Sequence, residues 1–221
     1  MPPDDEDLTE GPRTETRRKQ SREERRQQLI EATVTTLARS GYAGTTMGEV
    51  AKTAGLSHGL VNFHFETKEK LLAATLDYLA EEYRKNWSDA LAGAPQATHL
   101  KIAAMLAADF NPGICTPDRL SAWCSFWGEA QCKPMYREHC GSNDSFYIDT
   151  LEDLCRSMND QHGYAILPSR AARLLRVSVE GVWLDMMTMS TSYSVAEALA
   201  TVWTGAAALY PRHFTPEGAL R

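Results

Sequence analysis

The sequence has little of what a membrane-spanning or exported chain needs. Its longest uncharged apolar stretch, Ala198 to Pro211, is 14 residues long and holds two threonines and a glycine, short of the ~20 residues that cross a bilayer. No membrane partner is expected. No basic leader with an apolar core precedes Leu29-Ile30, the first apolar pair of note, so the reading is cytoplasmic. The five cysteines, Cys115, Cys124, Cys132, Cys140 and Cys155, include no Cys-x-x-Cys pair. Odd in number and set in helical patterns, they read as reduced thiols. His139-Cys140 lacks a second ligand pair at zinc spacing, and neither a metal nor any other cofactor is expected. Strand-like alternation is missing, which leaves no β-α-β order from which to build a nucleotide-binding or hydrolase sheet.

What is present is a chain of 221 residues, 43% apolar and 24% charged. That is globular composition, enough for one or two domains. The net charge of −6 is unevenly spread: residues 1–12 carry five acids and no base, residues 13–70 a net +4, and residues 71–221 a net −5. A basic module is therefore joined to an acidic body, an asymmetry that suits a polyanion at one end only.

Met1 to about Gln20 combines Pro2, Pro3, Gly11 and Pro12 with many charges and almost no apolar residue, and is expected to be a mobile arm. Ser21 and Glu24 make a capping box, after which Leu29, Ile30, Val34, Leu37 and Ala38 recur at helical spacing. This predicts a helix over 21–39, stopped by Gly41. Thr46 and Glu49 open a short second helix with Met47, Val50, Ala51 and Ala54 on one face. Gly55 supplies a turn, Ser57 caps a third helix to about His64, and Thr67 caps a fourth running to around Trp87. Further helices are expected at about 98–110, 117–132, 143–160, 168–190 and 194–209, punctuated by proline and glycine. The fold class is all-α.

Thr46 to His64 has the form of a DNA-reading device: a supporting helix, an apolar elbow, and a second helix whose outward residues Ser57, His58, Gly59, Asn62 and His64 are small or hydrogen-bonding. Free N–H groups at Thr45/Thr46 and Thr67/Lys68 could seat phosphates. Arg13, Arg17, Arg18, Lys19, Arg22, Arg25 and Arg26 could reach the duplex backbone or minor groove. On spacing alone an ordinary helical hairpin accounts for the stretch equally well. Gly55-Leu56-Ser57-His58-Gly59 also fits the G-x-S-x-G elbow of hydrolases, but that elbow needs a strand before its serine, and Met47 to Ala54 is helical in period. No enzyme is expected.

The stretch Arg25 to Leu72, with TTMGEVAKTAGLSHGLVNFHFETKEKLL at its centre, resembles the amino-terminal domain of the TetR family of one-component repressors. The resemblance implies a homodimer that reads a roughly palindromic double-stranded operator, with a variable helical body that binds a small-molecule inducer. It divides the chain into an arm (1–20), a helix-turn-helix domain (21–66) and a ligand-binding and dimerisation domain (67–221). By position it nominates Thr45, Thr46, Ser57, His58, Gly59, Asn62, Phe63, His64 and Lys68 for DNA contact. Many members carry tyrosine or tryptophan where Phe63 stands, so Phe63 is expected only to pack, with His64 the better contact.

The body concentrates Trp123, Phe126, Trp127, Tyr136, Phe146, Tyr147 and Trp183. Plain core packing explains such rings. Aromatic faces beside carboxylates are also what a quaternary ammonium ligand requires. The segments SAWCSFWGEAQCKPMY (121–136) and VEGVWLDMM (179–187) are similar to the choline-responsive, betaine-pathway subgroup of the family. That resemblance implies a cage of Trp123, Trp127 and Trp183, with Tyr136 and Tyr147 as further walls and Glu180 or Asp185 as counter-charge. Two other readings stand beside it: a regulator of the same type sensing a different apolar or cationic compound, and a helical ligand-binding or scaffold protein without DNA activity. The last two long helices are apolar round more than one face, which suits burial against a twofold mate.

Overall fold

The computed structural model describes residues 12–130, 134–191 and 194–220. The first eleven residues, the side chains of Arg13, Arg17, Arg18 and Lys19, and Cys132 lie outside the described residues. In chain order the helices are α1 (Pro12–Gly44), α2 (Met47–Ala54), α3 (His58–Phe65), α4 (Lys68–Gly93), α5 (Thr98–Ala108), α6 (Pro117–Ala130), α7 (Pro134–His162), α8 (Pro168–Thr188) and α9 (Val195–Leu209). A two-residue hairpin follows, β1 (Phe214–Thr215) paired antiparallel with β2 (Gly218–Ala219). The protein is thus all-α apart from this clasp, whose strands are too short to leave an alternation in sequence. Among the described residues no helix is long and apolar enough to cross a membrane.

Caps written in the sequence set the helix boundaries near the head of the molecule. Thr46 Oγ1 accepts the Glu49 N–H at 3.2 Å, Ser57 Oγ the Leu60 N–H at 3.3 Å and Thr67 Oγ1 the Lys70 N–H at 3.2 Å, which starts α2, α3 and α4. Gly55, at φ 66°, ends α2, and the Leu56 N–H reaches back to the Ala51 carbonyl at 2.9 Å. Such a left-handed residue favours glycine, so the angle between α2 and α3 is fixed by one position.

Three boundaries differ from expectation. Helix α1 begins at Pro12, not Ser21, so residues 12–20 are helical backbone rather than structureless arm. Proline is tolerated in a first turn, and the Arg, Lys, Gln and Glu that follow are strong helix formers even without an apolar face. Helix α4 runs on to Gly93. Helix α7 starts at Pro134 and passes through Gly141, which weakens a helix without breaking it.

The interior has three parts in series. Leu29, Ile30, Val50, Ala51, Val61, Phe65 and Leu71 seal α1 to α4 into the head. Val34 and Leu37 of α1 then share a second cluster with Leu72, Leu76 and Leu79 of α4, Ala122 and Phe126 of α6 and Cys140 of α7. The third and largest, from Trp87 through Met105, Leu151, Leu175 and Trp183 to Phe214, fills the body. Helix α6 therefore packs along α1 as well as within the body.

Candidate DNA-reading face and ligand pocket

On α3 the exposed edge carries Ser57, His58, Gly59, Asn62 and Phe63, with Thr46 exposed at the start of α2. The Asn62 amide nitrogen and His58 Nδ1 lie 3.2 Å apart across one helical turn, which ties the two side chains together on the exposed edge. Phe63 is 62% exposed, with the Arg22 guanidinium 5.3 Å above its ring. The expectation that it only packs is corrected: Val61 and Phe65 face inward from α3, and Phe63 lies outside that apolar stripe. His64 is half-buried, its ring 5.3 Å from that of Phe63. Burial first, then Arg22 and Arg26, hold its imidazole below the usual range, so it is neutral at pH 7. Lys68 donates to the Tyr42 carbonyl at 3.0 Å and lies over that ring, tying the start of α4 to the end of α1. Thr45 does not reach the face at all. It is fully buried and its hydroxyl donates to the Gly41 carbonyl at 2.8 Å, because the chain turns inward where α1 leaves helical geometry at Gly41. Ser57 follows a helix and caps another, which removes the hydrolase-elbow reading.

In the body, a small cavity, about 30 Å³ as traced by the centre of a water-sized sphere, is bounded by α4, α6, α7, α8 and the turn after α5. Its walls contain Trp123, Trp127, Tyr136, Tyr147, Glu180 and Trp183, which the sequence nominated, and Tyr83, Asp109, Asp144 and Arg176, which it did not. Trp127 and Trp183 are near-parallel with centroids 6.4 Å apart, and Trp123 stands 6.2 Å from Trp127. Carbons in contact are about 3.5–4.0 Å apart, so a methyl group held between two faces needs rings about 7–8 Å apart. The three indoles are therefore neighbouring panels of one wall, not opposed jaws. Tyr83 meets Trp123 and Trp183 edge-on at 6.4 Å and 6.0 Å and closes the end of that wall.

Asp109 caps the end of α5 and is wholly buried. Its backbone carbonyl accepts the Trp183 indole N–H at 3.2 Å and its Oδ2 accepts the Tyr147 hydroxyl at 3.0 Å. Burial, only partly offset by hydrogen bonds from Tyr83 and Tyr147, pushes its carboxyl up to about 7. Burial likewise raises Asp144 and Glu180 above the usual carboxylate range. Arg176 lies between these two, 2.7 Å from Glu180 and 3.7 Å from Asp144. Among the described residues of the wall, three acids thus face one base. Asp185 is not among them: exposed on another side of α8, it lines a separate open cleft with Val177, Gly181, Glu197 and Thr201. Five residues turn a helix by about 500°, so Asp185 stands about 140° round from Glu180.

Comparison with known proteins finds a match for each of the two parts of the chain. Residues 29–75 match the model of bacterial regulatory proteins of the tetR family, and residues 99–219 match that of the C-terminal part of BetI-type transcriptional repressors. The HTH-type transcriptional regulator BetI of Paraburkholderia xenovorans is 30% identical over 81% of this chain and 90% of its own. A TetR transcription regulator from Haloarcula marismortui superimposes with a TM-score of 0.70 at 20% identity, covering 86% of this chain and 98% of that one. A choline complex of a Saccharomonospora viridis protein gives 0.73 at 17% identity, covering 90% and 100%. The chain belongs to the TetR family of transcriptional regulators and, within it, to the BetI type. Its relatives are regulators of transcription and not enzymes.

Proposed function

We propose that this regulator is a homodimeric repressor that binds its operator through α3 and releases it when choline or a closely related quaternary ammonium compound enters the body pocket. The observation that carries the ligand is the aromatic wall of Trp123, Trp127, Trp183 and Tyr83 set against Asp109, with acids outnumbering the single arginine among the described residues of the wall. Methylated ammonium has no N–H to donate, and ring faces and carboxylates are what hold it. The choline complex of a protein of the same fold supports the assignment. On α8 the exposed Leu174, Val177 and Leu184, with Val195 on α9, form the face for a twofold mate. In such a dimer the two α3 helices engage half-sites about 34–36 Å apart, and a ligand acts by favouring a conformer with a different separation. Residues 21–66 then act as the reading head and 67–221 as the sensing and pairing body, with Thr46, Ser57, His58, Gly59, Asn62, Phe63, His64 and the N-terminus of α4 at Lys68 along the duplex.

Calorimetric titration with choline tests the pocket. Wild type is expected to bind, and Trp127→Ala to bind at least about tenfold more weakly, since a desolvated cation–ring contact is worth about 2 kcal/mol. An unchanged titration removes Trp127 from the site. On the head, Asn62→Ala is expected to weaken operator binding by about 1–3 kcal/mol while leaving binding to random duplex unaltered. Equal losses on both duplexes in a gel-shift titration would make Asn62 a backbone contact instead.

A further inference from the structure

Resting on the pocket reading above, we propose that Asp109 is the group that reads a ligand hydroxyl, so that the site selects a quaternary ammonium alcohol over its ether or its carboxylic acid. Asp109 is wholly buried, lines the cavity, and is fixed at two points. Trp183 holds its carbonyl and Tyr147 occupies Oδ2. Oδ1 alone has no hydrogen-bond partner among the described residues. A buried carboxylate oxygen without a donor is the kind of vacancy a ligand fills. Of the groups on a small quaternary ammonium compound, methyls and methylenes cannot donate to it. An ether oxygen only accepts. A hydroxyl donates.

A ligand carboxylate is opposed by the same arrangement. The one guanidinium among the described residues of the wall, Arg176, is already engaged by Glu180 at 2.7 Å and faces Asp144 at 3.7 Å. It is therefore not free to receive a second anion. A zwitterion would bring its negative end into a lining that already holds three acids. Like charge in a desolvated cavity is costly. The aromatic wall thus supplies affinity for the methylated head, and Asp109 supplies the choice of tail.

Calorimetry at pH 8 with choline, its O-methyl ether, tetramethylammonium and glycine betaine, on wild type and Asp109→Asn, tests this. In wild type, choline is expected to bind at least about tenfold tighter than each of the other three, as a hydrogen bond to a charged group provides. In Asp109→Asn, choline and the ether are expected to converge within about threefold. Tyr147 keeps hold of the amide oxygen, and the amide NH₂ turned to the cavity donates to a hydroxyl and an ether oxygen alike. Equal binding of choline and ether by wild type overturns the proposal, as does a tenfold gap that survives in the variant or betaine as the tightest ligand. If the variant does not fold, the wild-type series decides alone. Failure of all four ligands to bind removes the cage itself, whereas binding without discrimination removes only the role of Asp109.

Discussion

Exchange of Arg119 for glutamine is expected to leave choline affinity within about twofold of wild type while operator affinity stops responding to choline, since coupling between two sites is typically 5–150-fold and resides in a two-state contact. Arg119 sits in the first turn of α6 and grips Glu82 of α4 with two bonds, Nε to Oε2 at 2.6 Å and Nη2 to Oε1 at 2.7 Å. The same guanidinium stands 3.5 Å from Glu31 of α1, and Tyr78 of α4 donates to Glu31 at 2.6 Å. One residue earlier, Asp118 accepts the Thr35 hydroxyl of α1 at 3.2 Å. Four and eight residues further along α6 come Trp123 and Trp127 in the pocket wall. A small displacement of α6 by a ligand therefore has a direct polar attachment to the helix that carries the head. The measurement is operator affinity with and without saturating choline. If the variant still releases its operator as wild type does, α6 is not the route.

Choline affinity is expected to fall by up to tenfold per pH unit below about 7 and to level off above it. The ligand-free carboxyl of Asp109 is pushed up to about 7 by burial, and a cation beside it favours the ionised form. Binding below that pH must expel a proton and grows weaker as protons become more abundant. The sign reverses for the stability of the ligand-free protein. A carboxyl that holds its proton more tightly folded than unfolded contributes stability that is fully present below its unfolded pKa and is lost as pH rises through about 7. Wild type should gain thermal stability relative to Asp109→Asn on acidification from pH 8 to 5. Calorimetry across pH in both proteins checks both halves. An affinity slope shared by the variant would place the titrating group elsewhere.

The head was legible because its signals are local. A hydroxyl three residues before a free N–H, and a glycine at the one left-handed turn, are written within a few positions of where they act. The indoles of the pocket were legible for a related reason: Trp123 and Trp127 are one turn apart on a helix, and Trp183 faces inward on another. Asp109 was not legible. It is one acid in a turn, and its meaning comes from Tyr147 and Trp183, residues 38 and 74 positions away. Glu180 and Asp185 were inseparable by nearness to Trp183, and only the turn of α8 assigns them to different sides. Arg176, four residues before Glu180, carried a usable signal as a helical ion pair. Thr45 failed because the exit from α1 at Gly41, at φ 65°, buries it.

The middle cluster, where Val34 and Leu37 of α1 meet Ala122 and Phe126 of α6, has a consequence for the whole chain. A severed head would carry half of an opened oil-filled joint, and the severed body the other half. Melting should accordingly run through the full length in one step, so that whatever stiffens the lower half is felt at once in the grip of the upper.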